Sequence, residues 1–593
     1  MYNRLVFLYT MSTFTETHAN FMGESSYEIF NPIRRLMMPL LSGFLGEPSY
    51  YMPNKEEEKP SLHIQKIFDV LKEHLVLPKY FGVSRQKVFY EAVNDALDFD
   101  FGETLNLAIR ARNEWFMRKS PAQLLAIAAS HPNRIKFNEE NPKTFRETVV
   151  KCCPLPGDMI SIVESWKALH GSKSKFPTFM KRAFEDRLLE ITPYHCGKYS
   201  KAVIDITRLS HPSKKVVKNT VLDPLMTTST VELDDEDTTW EKHRSQGKTW
   251  PETFEAMGRR LPHMAALRNI RGFASSDPGE ELMKEYCDMV LSGVRGGKQF
   301  PFRYIAAHKA MKSRLEKPED VDAQPEDAED QPEDVDAQPE DAEDQPKKGQ
   351  RKPPKPVDPK YVSIIMDCLE QCLQASLENF PKLKGDAMVM SDNSGSAHGA
   401  FTSTYGKTSV ADIGNLSALF TALCCTGRGV VGLFGDRLLE YEVDKSRPIL
   451  EQYEEIRTQG ETVGQGTENG VWLFFKRAFD KPDKYKFDNW FCYSDMQVGH
   501  GGLYGDDPEI QKQGFAWKHA SSSTIYVDVH KCVTKYRQVI NPKFNTFMVQ
   551  TAGYIDTALP ESTYRGAILS GWTGNEVVYA NEVTKLWDAI EQI

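Results

Sequence analysis

The chain has 593 residues, too many for one hydrophobic core, so two to four domains are expected. With 40% hydrophobic and 26% charged residues it has an ordinary globular composition, and no run of 18 or more apolar residues marks a membrane-spanning helix. The net charge of -10 is local: two copies of PEDVDAQPEDAEDQ at 318–345 hold fourteen acids and no base, and without them the remainder stands at +4.

At the amino terminus, Leu5 to Tyr9 form an apolar stretch with no small-residue cleavage site after it, which reads as an extension rather than a secretory signal. The ten cysteines form no zinc-type CxxC pair and include two adjacent doublets, Cys152-Cys153 and Cys424-Cys425. Such usage fits a reducing compartment, and a cytoplasmic protein without a membrane partner is expected.

Beyond the extension the pattern is helical with proline breaks. Ile64, Ile67, Phe68, Leu71 and Leu75 fall on one face of a helix, and similar stretches recur near 104–118, 121–130, 158–169, 178–190 and 280–292. Strand-like alternation is rare, so stacked helix pairs in a solenoid-like array are expected.

One part of this region is strongly basic. Residues 173–218 hold Lys173, Lys175, Lys181, Arg182, Arg187, Lys198, Lys201, Arg208, Lys214, Lys215 and Lys218 against four acids. Phe176, Phe179, Phe184, Tyr194 and Tyr199 interleave, with His195 and His211. Clustered cations neutralise phosphates and exposed aromatics stack unpaired bases. A solvated helix face over core aromatics accounts for the composition equally well.

Residues 316–357 read as a disordered linker: the acidic repeat cannot bury enough apolar surface to fold, and a basic proline-rich stretch, Lys347 to Pro356, follows it. The repeat is either an inert spacer or a tethered competitor for basic surface, present at an effective concentration on the order of millimolar. Deleting 318–345 is expected to leave thermal unfolding unchanged. A competitor's removal raises affinity for random RNA at low salt, and the gain shrinks as the Debye length falls to roughly 3 Å near 1 M. A spacer's removal changes neither.

After the linker the grammar changes. A helix over Ile365, Cys368, Leu369, Cys372 and Leu373 precedes apolar runs at Ala387–Met390, Val430–Phe434, Trp490–Tyr493, Ile525–Val529 and Thr546–Gln550, separated by helical patterns. Strands alternating with helices imply a largely parallel sheet covered on both faces, which binds ligands at the carboxyl ends of its strands. The first run leads into Asp392-Asn393-Ser394-Gly395-Ser396, one carboxylate and two hydroxyls spaced two apart on one loop, a set that suits a hard cation such as Mg²⁺. Thr467 on the glycine-rich stretch Gly464-Gln465-Gly466 offers another hydroxyl, and Asp495 after Tyr493-Ser494 a second carboxylate. The plain alternative is that Asp392 and the serines cap the next helix.

The ordered set resembles the metal-ion-dependent adhesion site of von Willebrand A domains. The resemblance implies that Asp392, Ser394, Ser396, Thr467 and Asp495 hold a divalent ion, Asp495 through water; the polar stretch Ala397 to Lys407 departs from the pattern.

Other stretches resemble the TROVE module of the Ro autoantigen family. They are Asn31-Pro32-Ile33-Arg34-Arg35 with Gly46 to Tyr51, Lys198-Tyr199 with Asp205 to Pro212, Trp250-Pro251 with Leu261 to Ile270, and Phe300 to Ile305. The family's glycine-tryptophan before the aspartate of the basic helix is absent, Lys201 and Ala202 standing there. The resemblance implies an α-helical HEAT-like repeat ring joined to an α/β, Rossmann-type, von Willebrand A-like domain. It implies a ribonucleoprotein with small structured, Y-like RNA and binding of single-stranded ends of misfolded RNA. The RNA-binding set is then Lys173, Lys175, Lys181, Arg182, Lys198, Tyr199, Lys201, Arg208, His211, Lys214 and Lys215. The expected domains are an extension at 1–22, the helical module at 23–315, the linker at 316–357 and the A-like domain at 358–593. A metal-dependent protein-interaction scaffold, with a partner's acidic group completing the ion's coordination, is the alternative. No P-loop, nucleophile elbow or His-Glu-x-x-His occurs, so no enzymatic activity is expected.

Overall fold

The computed structural model describes residues 17–19, 25–29 and 31–41 and most of 85–316 and 357–591. Within the last two ranges, 115–116, 214–216, 219, 229–238, 298, 300, 400, 404–405, 465, 467–469, 495–506, 518–524, 552–555, 561–562 and 571–575 lie outside the description. The helix expected over Ile64 to Leu75 and the acidic repeat also lie outside it. Contacts divide the chain into two units: one of 1–124, 380–447 and 451–593, the other of 125–379 and 448–450.

The second unit is helical among its described residues. The expected segments appear as Pro156–His170, Thr178–Leu188 and Glu280–Ser292. Helices two or three steps apart in sequence pack together, Thr144–Lys151 on Thr178–Leu188 and Pro156–His170 on Ser200–Ser210. This is the local, stacked packing of helical repeats. Pro359–Ser376 belongs here and not with the sheet. Its apolar face, with Tyr361, Val362, Ile365, Leu369 and Leu373 buried, lies on Glu280–Ser292 and Pro301–Glu316.

The first unit is built on six strands: β1 Ala387–Asp392, β2 Gly429–Phe434, β3 Leu438–Glu442, β4 Asn489–Ser494, β5 Asn545–Gln550 and β6 Gly566–Ser570. Their order is β6-β5-β4-β1-β2-β3, parallel except for β3, which pairs antiparallel with β2. β1, β2, β4 and β5 are buried throughout, as continuous apolar runs covered on both faces must be. Edge strand β3 carries partly exposed residues instead. On one face Gly470–Asp480 and Val529–Val539 pack over Met388, Met390, Trp490, Cys492 and Met548. Helix Val410–Cys424 packs on β1, β2 and β4 and is buried at all but two of its positions.

The run Ile525–Val529 is not a strand of this sheet. Tyr526–Val527 pairs antiparallel with Ala516–Trp517 in a separate two-stranded ladder. Asp528 then accepts from Lys531 N and caps the helix at Val529. Strands β3 and β6 are the ones the apolar runs do not reveal. Described residues up to Leu124 also join this unit. Helix Pro32–Leu41 packs on Arg85–Phe99 and on β6, and Ser25–Glu28 pairs with Thr17–Ala19 and Asp556–Thr557. The units therefore follow strand pairing and helix burial, whereas the sequence boundaries follow composition.

All ten cysteines are buried and free. No helix among the described residues is long and apolar enough to cross a membrane.

Candidate metal centre and nucleic-acid interface

The chain runs from β1 outward to β2, then returns to lay β4 on the other side of β1. The sheet therefore reverses direction between β1 and β4, the crevice where open α/β sheets bind ligands. Asp392 ends β1 and Ser494 ends β4, so two loops distant in sequence meet there. Asp392 Oδ1 accepts from Ser394 N at 2.9 Å and Oδ2 from Ser494 Oγ at 2.8 Å. The first bond is a local turn contact; the second ties the carboxylate to a neighbouring strand, which helix capping does not require.

Asp392 is 6% exposed and Ser394 2%. Burial pushes the Asp392 carboxyl above its ordinary range, against the hydrogen bonds from Ser394 and Ser494. It has no ion pair among the described residues, and the hydrogen bonds it accepts come from neutral donors. A buried carboxylate is costly, and the His398 charge offsets that cost less than the Ser394 and Ser494 hydrogen bonds do. This donor set fits a divalent cation, which would supply a stronger counter-charge and accept hydroxyl ligands beside it. His398 Nε2 and Ser391 Oγ are buried nearby in sequence without hydrogen-bond partners among the described residues.

Ser396 lies in the helix Gly395–Gly399, its side chain outside the description; Thr467 and Asp495 lie outside the described residues. Their neighbours are placed. Gly466 N donates to Asp436 Oδ1 at 3.1 Å, and a Cβ on Gly435, just past β2, would come within 2.5 Å of Gly464 O. The glycine-rich stretch thus reaches the same carboxyl edge. Among the described residues, no three His, Cys, Asp or Glu side chains gather as a metal-ligating group.

Beneath the loop, Asn393 and Asn415 interlock. Asn393 Nδ2 donates to Asn415 Oδ1 at 2.9 Å, and Asn415 Nδ2 donates to Asn393 Oδ1 at 2.8 Å. Asn393 is 1% exposed and Asn415 0%, and a Cβ on Gly460 would fall 2.3 Å from Asn393 Oδ1. The amide pair ties the residue between Asp392 and Ser394 to the helix Val410–Cys424. Asn415→Leu leaves Asn393 Oδ1 without its donor, while Nδ2 keeps Ser391 O, and is expected to cost about 1–3 kcal/mol. It should also weaken divalent-ion affinity; chemical denaturation and titration calorimetry measure the two. Nothing local in the sequence marks Asn415, because its partner is 22 residues away.

In the helical unit the structure sorts the basic segment. Phe176 and Phe184 are buried and stacked, with ring centroids 5.4 Å apart, so these phenylalanines are core. Arg187 is structural as well, its guanidinium donating to Cys153 O and Pro154 O, both at 2.7 Å. Lys173, Lys175, Arg182, Lys201, Arg208 and Lys218 are exposed and Lys181 half-buried, and none has an ion pair among the described residues. Lys214 and Lys215 lie outside the described residues.

The helix Ser200–Ser210 buries Ala202, Val203, Ile206 and Thr207 and leaves Lys201 and Arg208, two turns apart, outward. It ends at His211, which adopts the left-handed conformation with φ 51° and donates its N–H to Thr207 O at 3.1 Å. Pro212 follows and bars continuation, leaving the exposed imidazole at the helix end. Tyr194, His195 and Tyr199 are half-buried, with His195 stacked on Tyr199 at 6.4 Å. The Lys198 ammonium lies 5.9 and 5.7 Å from the Tyr194 and Tyr199 rings. Burial, aided by the Arg187 charge, holds the His195 imidazole below its ordinary pKa. The arrangement offers cations at phosphate-reaching positions beside partly open aromatic rings.

No family model matches the sequence, and no curated protein matches it. A solved structure does match by fold: the crystal structure of the Deinococcus radiodurans Ro (Rsr) protein, over 94% of this chain and 99% of that one, with a TM-score of 0.53 and 11% sequence identity. The chain is thus a helical-repeat array with an α/β A-like domain, sharing the fold of that Ro protein.

Proposed function

We propose that this chain is an RNA-binding protein that forms a ribonucleoprotein with small structured, Y-like RNA and takes up single-stranded ends of misfolded RNA. The observation that carries the reading is the outward row of Lys201, Arg208 and His211 beside the Tyr194–Tyr199 ring cluster. The fold likeness to a Ro protein supports it. The protein acts by binding, without catalytic turnover, in the cytoplasm. Sequencing the RNA that co-purifies with the protein tests this directly: nuclease-sensitive, structured RNA is the expected result, and a preparation free of RNA that also fails to bind structured RNA refutes it.

The A-like domain, on this reading, holds one Mg²⁺ or similar ion through Asp392, Ser394, Ser396, Thr467 and Asp495. The buried Asp392 carboxylate, with no ion pair among the described residues, supports that assignment. The same observation favours a second role, docking of a partner protein whose acidic side chain completes the ion's shell.

A further inference from the structure

Trp240 and Trp250 each open a short helix, Trp240–Ser245 and Trp250–Ala256. Thr239 caps the first, and the Thr249–Glu252 box with Pro251 starts the second. The turn between them passes through Gly247 at φ +87°, a conformation that suits glycine. It brings the two indoles together, with ring centroids 5.5 Å apart and planes 26° apart. Trp250 is set by helix His263–Ala274: a Cβ on Gly272 would come within 2.9 Å of its Nε1. The Arg244 guanidinium lies 4.6 Å from the Trp250 ring centre.

Both indoles stay half-buried, whereas Trp472 and Trp490 in the sheet core are 0% exposed. Trp240 has no ring or cation contact other than Trp250 among the described residues. The two helices and the turn between them carry three cations, Lys242, Arg244 and Lys248, against three acids, and five further acids stand at 232–237, outside the described residues. Lys242 is exposed with no ion pair among the described residues, and Lys248 Nζ lies 3.0 Å from His243 Nδ1. The acids of the two helices have partners, and Glu252 also feels the Lys248 charge. Glu252 accepts from Thr249 N and Oγ1, Glu255 pairs with Arg259, and Glu241 faces Lys198 at 3.9 Å. That last pair sets the indoles beside the Tyr194–Lys198–Tyr199 cluster.

We propose that Trp240 and Trp250 form a stacking platform for an unpaired RNA base, with Lys242 and Lys248 meeting the flanking phosphates. The proposal rests on the RNA reading above and extends that surface onto two helices outside the basic segment. A half-buried indole beside the exposed Lys242 is a pairing of aromatic ring and cation of the kind that single-stranded nucleic acid uses.

The test uses the full chain with two probes: a blunt RNA hairpin, and the same hairpin with a single-stranded 3′ overhang carrying 2-aminopurine. Binding of the overhang to wild type should quench the 2-aminopurine by stacking. Trp240→Ala should weaken overhang binding roughly five- to a hundredfold and leave blunt-hairpin affinity unchanged, while Trp240→Phe retains most of the affinity. Unquenched 2-aminopurine in the bound wild type overturns the platform, and that readout needs no variant. Equal overhang affinity in wild type and Trp240→Ala, with hairpin binding intact, overturns the platform and leaves the RNA reading standing. Failure of wild type to bind either probe overturns both. Binding of a proline-rich peptide that quenches the indoles, without any effect of the overhang, reassigns the surface to a protein partner and overturns the proposal.

Discussion

Asp392→Asn is expected to abolish divalent-ion binding while leaving the ion-free protein at least as stable as wild type. In chelator the wild-type carboxylate is buried with no ion pair among the described residues and only the weak pull of the His398 charge, and the isosteric amide removes that desolvation cost. The amide keeps local geometry: its oxygen accepts from Ser394 N, and its NH₂ donates to the Ser494 hydroxyl, which accepts as readily as it donates. With Mg²⁺ the order reverses. An ion at about 100 times its Kd stabilises the folded wild type by about 2.7 kcal/mol and the variant not at all. Thermal unfolding with chelator and with Mg²⁺, beside calorimetric titration of both proteins, measures the crossover. Equal Mg²⁺ or Mn²⁺ binding by the variant removes Asp392 from the ligand set. Asp392→Ala should lose the ion too, but at a cost in stability, since Ser494 Oγ and Ser394 N then lose their acceptor.

Replacing Lys201, Arg208 and His211 together by alanine should weaken structured-RNA binding and flatten its salt dependence. All three are exposed, and the two cations have no ion pair among the described residues, so their removal leaves no buried charge stranded. Each lost phosphate contact lowers the log–log salt slope by roughly 0.7 on single strands and roughly 0.9 on duplex. Two lost cationic contacts therefore flatten it by about 1.4 to 1.8. His211 contributes by hydrogen bonding or stacking and not through that slope. Arg187→Ala is the informative contrast. It removes a cation from the same segment, but one that donates to Cys153 O and Pro154 O, so it should reduce stability without changing the slope. A triple variant with wild-type affinity and slope would place RNA binding elsewhere.

The acidic repeat was legible from composition, and the helical segments at 158–169, 178–190 and 280–292 from their apolar period, because both signals are local. Four of the five apolar runs became sheet strands for a related reason: a strand buried on both faces must be apolar throughout. The fifth, Ile525–Val529, has the same composition but is cut by Asp528, whose carboxylate caps a helix instead. Strand β3 escaped notice because an edge strand tolerates the polar residues of Leu438–Glu442.

The two classes of structure were readable from the sequence alone, as was the donor set of the Asp392 loop, since Asp-x-Ser-x-Ser after an apolar run is a statement about adjacent residues. Tertiary structure alone decided what those residues meet. Strand order lays β4 against β1 and so gives Asp392 the Ser494 hydroxyl, 102 residues away. Helix packing brings Asn415 under Asn393 and Trp250 onto Gly272. It also separated the basic segment into Arg187, which holds the backbone, and Lys201 and Arg208, which face outward. Composition counts these cations alike, because charge is a property of a side chain, while its partner is a property of the fold.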